Sequence, residues 1–158
     1  MNKRIVAVVA ALLFISAAGL VTAQNVDTKI FEIESSVAFG YDVSTGSYGV
    51  GTSYGLNLTL TDHLMAGFIY TDYASTISDS NLLTLTYGLA DKAGITLAVG
   101  KNATTTLVGV GMYYNIFERK VQDTLVSLLK VKVAYDFPPA TGIDAGYLAM
   151  GLSLGLGL

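Results

Sequence analysis

Residues 48–61 read YGVGTSYGLNLTLT, and their side chains alternate in character at every step. The bulkier, mostly apolar set comprises Tyr48, Val50, Thr52, Tyr54, Leu56, Leu58 and Leu60. The small or polar set comprises Gly49, Gly51, Ser53, Gly55, Asn57, Thr59 and Thr61. A period of two is the side-chain repeat of a β-strand, whereas a helix repeats every 3.6 residues. The stretch therefore predicts a long strand with one apolar and one polar face.

The same alternation recurs along the rest of the chain after its first thirty residues. We predict eight strands, near residues 31–43, 48–61, 64–74, 83–90, 95–100, 108–116, 129–137 and 147–158. Short turns join them, and we predict no helix. Residues 118–128 are interpreted as a turn plus the start of the seventh strand. The fold class expected is all-β.

The polar face of these strands does not have the composition expected for the apolar core of a water-soluble β-protein. Gly, Ser, Thr, Asn, Lys and Glu occupy it, while Val, Ile, Leu and aromatic residues occupy the other face. Most runs reach about ten residues, which is what a tilted strand needs to cross a bilayer. In lipid every backbone amide must be satisfied internally, and only a closed sheet achieves this with strands. The sequence predicts a single antiparallel up-and-down transmembrane barrel of eight strands.

Composition narrows the classes of function. The chain has 158 residues, of which 52% are apolar and 13% charged, and it contains no cysteine. This length favours one domain, and the absence of cysteine excludes disulfides, Cys-ligated zinc and thiol nucleophiles. So few Lys and Arg argue against nucleic acid as a partner, because phosphate contacts need many cations.

The N-terminus has the pattern of a secretory signal peptide. A basic start, Met1 to Arg4, precedes an uncharged and mostly apolar run, Ile5 to Leu20, and the small-residue segment Val21 to Ala23. This order of basic, apolar and small residues predicts cleavage after residue 23. The barrel domain is therefore assigned to residues 24–158, which carry seven Lys and Arg and all twelve acidic residues, a net charge of −5.

Aromatic residues on the apolar face fall into two groups when both chain ends are placed on the periplasmic side. Tyr41, Tyr48, Tyr70, Tyr135 and Phe137 are predicted near the outer rim, and Phe31, Tyr87 and Tyr114 near the inner rim. Two such belts are typical of membrane interfaces, although aromatic residues also favour strands in general.

Taken together, the leader, the eight alternating segments and the terminal strand Tyr147 to Leu158 resemble the small outer-membrane barrels of the OmpA transmembrane-domain, OmpX and OmpW group. The resemblance covers residues 24–158 and implies the outer membrane of a diderm bacterium, with outer-membrane lipids as surroundings. It also implies periplasmic chaperones and the barrel-assembly machinery as partners during biogenesis. That machinery reads a terminal strand with alternate apolar residues, here Leu154, Leu156 and Leu158; the last replaces the aromatic residue usual in the group.

Four charged residues are predicted to face the lumen. Glu32 and Glu34 lie on the inward face of the first strand, and Lys130 and Lys132 on that of the seventh. An eight-stranded barrel is just wide enough for side chains to fill, and an unpaired buried carboxylate is costly. We therefore predict that the glutamates pair with the lysines across the lumen and seal it.

Inward glycines leave a second possibility open. They thin the wall, and Met65, Ile69 and Tyr113 on the inner face would suit a passage for small or hydrophobic molecules. The alternative function is accordingly a narrow diffusion channel.

Catalysis is not expected. The single histidine, His63, lies beside Asp62 in a predicted inner turn, whereas the lipid-modifying and proteolytic barrels of this compartment place a catalytic histidine near the outer rim. No metal site or cofactor is predicted. The short outer loops carry Asp72, Asp79 and Asp144 against Lys101, which predicts weak lipopolysaccharide binding or an envelope that lacks it. The expected function is a non-enzymatic barrel with a structural or surface-interaction role, and the sequence indicates no surface ligand.

Overall fold

The computed structural model describes residues 30–74, 77–90, 92–122 and 125–158. Eight strands close into one antiparallel up-and-down barrel in sequence order. They are β1 (Phe31–Asp42), β2 (Tyr48–Thr61), β3 (Leu64–Tyr73), β4 (Ser80–Ala90), β5 (Ala93–Asn102), β6 (Thr106–Gln122), β7 (Leu125–Phe137) and β8 (Tyr147–Gly157). The predicted fold class is confirmed. The predicted signal peptide, residues 1–23, lies outside the described residues.

The register of the strands fixes the shape of the barrel. Following paired residues once around the sheet from Phe31 returns to β1 at Tyr41, ten residues further along. The residues on this path are Leu58, Ala66, Leu85, Leu97, Val110, Tyr135 and Leu148. With strands about 4.8 Å apart and a rise of about 3.3 Å per residue, this stagger requires a tilt of about 40° and a backbone radius of about 8 Å.

The two ends of the barrel differ. The terminal end holds Ile30 and Leu158, joined by a backbone hydrogen bond, together with the connections after β2, β4 and β6. The loop end holds the connections after β1, β3, β5 and β7. A 3₁₀ turn, Ile143–Ala145, lies in the last of these, where no helix was predicted.

Side chains alternate across the wall as the sequence pattern requires. In β1 the even-numbered residues face the lumen and the odd-numbered ones face outward, and in β2 the order is reversed. Ile33, Leu56, Val131 and Leu152 are each at least 40% exposed on the outer surface. The interior is small and largely polar. The prediction that the apolar face is the outer one is therefore correct.

The hairpin of β6 and β7 departs from the prediction. The sequence predicts a turn plus the start of the seventh strand over residues 118–128. In the structure β7 does begin within that range, at Leu125, but β6 continues as a strand to Gln122. A bulge between Asn115 and Phe117 shifts the alternation by one residue, so the charged run after it follows the strand. The bulge explains why the period of two ends near residue 116 in the sequence although the strand does not.

Within the described ranges no helix is long and apolar enough to cross a membrane.

Candidate functional site

A cluster of four charged side chains occupies the lumen toward the terminal end, and the strand between them makes room for it. Glu32 and Glu34 extend from β1 and Lys130 and Lys132 from β7, with β8 between the two strands. The inward positions of β8 here are Gly151, Ser153, Gly155 and Gly157. A Cβ atom at Gly155 would lie 3.3 Å from Glu32 Oε1, so glycine leaves the space that the long side chains need.

The structure brings all four predicted residues together. Lys130 Nζ contacts Glu32 Oε1 and lies 3.9 Å from Glu34 Oε2, and Lys132 Nζ contacts Glu34 Oε1. Ser153 Oγ donates a hydrogen bond of 3.5 Å to Glu34 Oε2. We call these four charged residues the lumen cluster. It links β1 to β7 by contacts that pass in front of β8.

Burial and charge balance determine how the lumen cluster behaves. Glu32, Glu34 and Lys130 are 3–4% exposed, while the side chain of Lys132 is 25% exposed. Two carboxylates and two ammonium groups cancel, which avoids the large cost of a lone charge away from water. Lys130 Nζ also lies 5.1 Å from the centroid of the Tyr113 ring, a favourable cation–π position.

Bulkier side chains fill the lumen on either side of the lumen cluster. Leu128 is 1% exposed at the terminal end, and Leu107 and Leu82 are 2% and 6% exposed nearer the loop end. Each of these leucines lies one residue outside the strand ranges predicted from the sequence, so no face was predicted for them. In the structure the strands extend to include them, and the alternation places Leu82 on the face of Thr84, Leu107 on that of Gly109 and Leu128 on that of Lys130.

The loop-end half of the lumen also contains Asp136, which is 8% exposed. Asp136 faces Gly109 on β6 and Tyr147 on β8 as cross-strand partners. Its Oδ1 atom is buried and has no hydrogen-bond partner. The alternation of β7 places Asp136 on the inward face, but nothing in the sequence gives it a role.

Met65, Ile69 and Tyr113, proposed from sequence as the lining of a passage, all belong to the inward register. The Tyr113 ring lies against Lys130 and close to Gly94, so it occupies the lumen. Two buried polar atoms without a partner, Thr84 Oγ1 and Asn115 Oδ1, face the same interior.

The aromatic residues predicted for two belts lie toward the two ends of the outer surface. At the loop end Tyr41 pairs with Tyr48, the rings of Tyr135 and Phe137 stack at 6.1 Å, and Tyr70 lies three residues before the end of β3. At the terminal end Phe31 begins β1, Tyr87 pairs with Leu64 and Tyr114 pairs with Ala93.

His63 lies in the turn between β2 and β3 at the terminal end, as predicted, and its ring centroid is 6.1 Å from that of Tyr87. In the described part of the chain, no group of three or more His, Cys, Asp or Glu residues could hold a metal ion. Leu154, Leu156 and Leu158 project outward from the end of the chain and are exposed.

No protein-family model and no curated protein sequence matches the chain. Among solved structures it is similar to a designed protein, described as "De novo design of transmembrane beta-barrels". The two share 13% identity with a TM-score of 0.46, and the similarity covers 82% of this chain and 99% of the designed one.

Proposed function

We propose that the protein is a non-enzymatic integral barrel of the outer membrane of a diderm bacterium, with a side-chain-filled lumen and a structural or surface-interaction role. One observation carries the proposal. The exposed large side chains on the outward face of all eight strands are mostly apolar, while most of the buried charged and polar side chains lie in the lumen.

The distribution of side chains is the inverse of that in a water-soluble barrel. Leu83 and Leu154 are 62% and 65% exposed, whereas Glu32, Lys130 and Ser153 are buried. Soluble proteins rarely expose contiguous apolar surface of this extent, and when they do the surface contacts a partner or a membrane. Hydrocarbon is the surrounding that suits a belt running around the entire barrel.

The dimensions of the barrel support the same conclusion. Strands β4 and β8 have 11 residues each. At a tilt of about 40° and a rise of about 3.3 Å per residue, such a strand spans roughly 27 Å along the barrel axis. The apolar band of outer-membrane barrels is about 25 Å tall, with aromatic residues at both edges.

The partners proposed follow from this location. Outer-membrane lipids surround the belt, and chaperones with the barrel-assembly machinery deliver the chain, for which the exposed leucines Leu154, Leu156 and Leu158 of the terminal strand are the proposed signal. At the loop end Asp72, Asp79 and Asp144 are set against Lys101, which supports weak binding of lipopolysaccharide phosphates. Nucleic acid is not proposed as a partner.

The position of His63 at the terminal end supports a non-enzymatic role. A lipid-modifying enzyme would need an acid–base group near the headgroups of the outer leaflet. His63 lies at the opposite end, next to Tyr87.

A narrow diffusion channel is the second candidate. Thr84 Oγ1 and Asn115 Oδ1 are polar, buried and unpartnered, and Lys132 keeps 25% of its side chain exposed within the lumen. A rearrangement of the lumen cluster would connect such groups into a polar path.

Four measurements test the proposal. Folded protein should migrate faster than boiled protein on a detergent gel, and surface proteolysis of intact cells should place its loop end outside the cell. In planar bilayers the wild-type barrel should show no steady conductance, and steady openings would favour the channel instead. Recovery of the protein in the soluble periplasmic fraction would overturn the membrane location.

A further inference from the structure

We propose that the loop-end half of the lumen is a binding site for a small monovalent cation, with the Asp136 carboxylate as the charged ligand. The site lies inside the barrel, so the inference depends on the closed fold and not on the membrane location proposed above.

Asp136 is held in the lumen by its strand and by its neighbours. It is the penultimate residue of β7, and its inward side chain lies over Gly109 of β6, where a Cβ atom would collide with Oδ1. It is 8% exposed, and its Oδ1 atom is buried without a hydrogen-bond partner. A carboxylate removed from water in this way requires a compensating charge or proton.

No cation of the described chain compensates Asp136. The two lumen lysines already contact Glu32 and Glu34, and four residues of strand, about 13 Å, separate Lys132 from Asp136. Lys101 is nearer the loop end, but it belongs to the outward face of β5 and is exposed. The lumen cluster is neutral, and Asp42, the other carboxylate in the inward register at the loop end, accepts hydrogen bonds from Ser44 and Thr45 at the exposed rim. Asp136 therefore remains as one buried, uncompensated carboxylate among the described residues of the loop-end half.

The surroundings of Asp136 determine the kind of cation. Tyr147 is its cross-strand partner on β8, and the Tyr147 hydroxyl accepts a hydrogen bond of 3.3 Å from Asn102 Nδ2. Tyr73, the last residue of β3, also belongs to the inward register at the loop end, where it pairs with Gly51. Carboxylate and hydroxyl oxygens suit hard cations such as the alkali and alkaline-earth ions.

The charge of the site and the packing around it indicate which of these cations would bind. A single carboxylate balances one positive charge, which favours a monovalent ion over a divalent one. Leu107, Leu82 and Ile77, each at most 6% exposed, pack in the same half of the lumen, which disfavours a bulky organic cation. Sodium or potassium fits both conditions.

The test compares small and large cations in the folded barrel. Thermal unfolding midpoints are measured in detergent micelles, in NaCl and in N-methyl-D-glucamine chloride at equal ionic strength. The wild-type midpoint should rise with NaCl and then saturate, because an ion that binds only the folded state stabilises it by mass action. Asp136→Asn should abolish that rise, while Asp72→Asn, the same change at an exposed outward residue of the loop end, should preserve it.

Two further measurements decide between a metal cation and a proton. Thallium(I), a heavy monovalent ion, should give an anomalous scattering peak beside Asp136 in wild-type crystals, a readout that needs no variant. Infrared difference spectra of wild type minus Asp136→Asn should show a carboxylate band in NaCl. Three results would each overturn the proposal. They are an infrared band of a protonated carboxyl group in NaCl, equal wild-type unfolding midpoints in the two salts, and a sodium effect that survives in Asp136→Asn.

Discussion

Replacing Lys130 by methionine should destabilise the barrel more than any other single change in the lumen cluster. Methionine keeps most of the length and apolar volume of lysine but removes the positive charge that contacts Glu32. Both Glu32 and Lys130 are only 3% exposed. Removing one partner of a buried ion pair typically costs about 3–5 kcal/mol, because the other charge stays buried without compensation. The cation–π contact with Tyr113 adds about 0.5–1 kcal/mol to that loss.

The matched control is Lys132→Met, which makes the same chemical change two residues along β7. The Lys132 side chain is 25% exposed, so water screens part of its interaction. Its partner Glu34 also keeps Lys130 Nζ at 3.9 Å and the hydrogen bond from Ser153. We expect a loss of no more than about 2 kcal/mol for this variant.

The assay is reversible urea unfolding of the barrel in lipid vesicles, followed by tyrosine fluorescence and by gel mobility. With a slope of about 2 kcal/mol per molar urea, Lys130→Met should lower the unfolding midpoint by about 2 M. Adding Glu32→Gln to Lys130→Met removes both charges and should recover most of the loss. Equal losses for the two lysine variants, or no recovery in the double variant, would refute the argument from buried charge.

Three further predictions test the outer face, the wall and a turn. Leu152→Arg, in the middle of β8, should cost about 2–4 kcal/mol in a bilayer, and Leu60→Arg near the terminal end about 0–1 kcal/mol, as measured by unfolding in vesicles. Gly94→Ala should cost about 1–3 kcal/mol because its Cβ would lie 2.7 Å from a backbone oxygen, while its cross-strand partner Gly88, where the nearest atom is 3.7 Å away, should accept alanine; urea midpoints of the two variants check this. Burial would raise the pKa of Asp42, but hydrogen bonds from Ser44 and Thr45 outweigh it and hold the pKa below its ordinary value. The stability that Asp42 contributes should therefore be present at neutral pH and be lost as the pH falls below about 4 through the lowered pKa. The stability difference between wild type and Asp42→Asn, titrated from pH 7 to 2.5, should shrink in that window, and a constant difference would contradict the assignment.

Much of the fold was predictable because a two-residue period survives in almost every strand. In residues 48–61 the character of each side chain indicates its face, and the observed β2 has those bounds. The pairing of Glu32 with Lys130 was also accessible, since inward charges in a narrow barrel must meet. In both cases the local pattern contains the information.

The features that the sequence did not reveal depend on the exact bounds of the strands and on contacts between strands that are distant in the sequence. The bulge after Asn115 interrupts the alternation, so the continuation of β6 resembled a turn. Leu107 and Leu128 lie one residue before the predicted starts of their strands, so their inward faces follow only once the longer observed strands are known. The isolation of Asp136 could not be foreseen either, since it requires knowing that every lumen lysine is already engaged elsewhere.

The seam between β1 and β8 has a consequence for biogenesis. Glu32 pairs with Gly157, so the barrel closes only when β8 meets β1. Such long-range pairing makes folding slow, and until closure both seam strands offer open hydrogen-bonding edges. These edges therefore need shielding from aggregation from the time β1 is made until β8 is available. A deletion of β8 alone would leave β1 and β7 each with an open edge that the closed sheet of the described residues lacks.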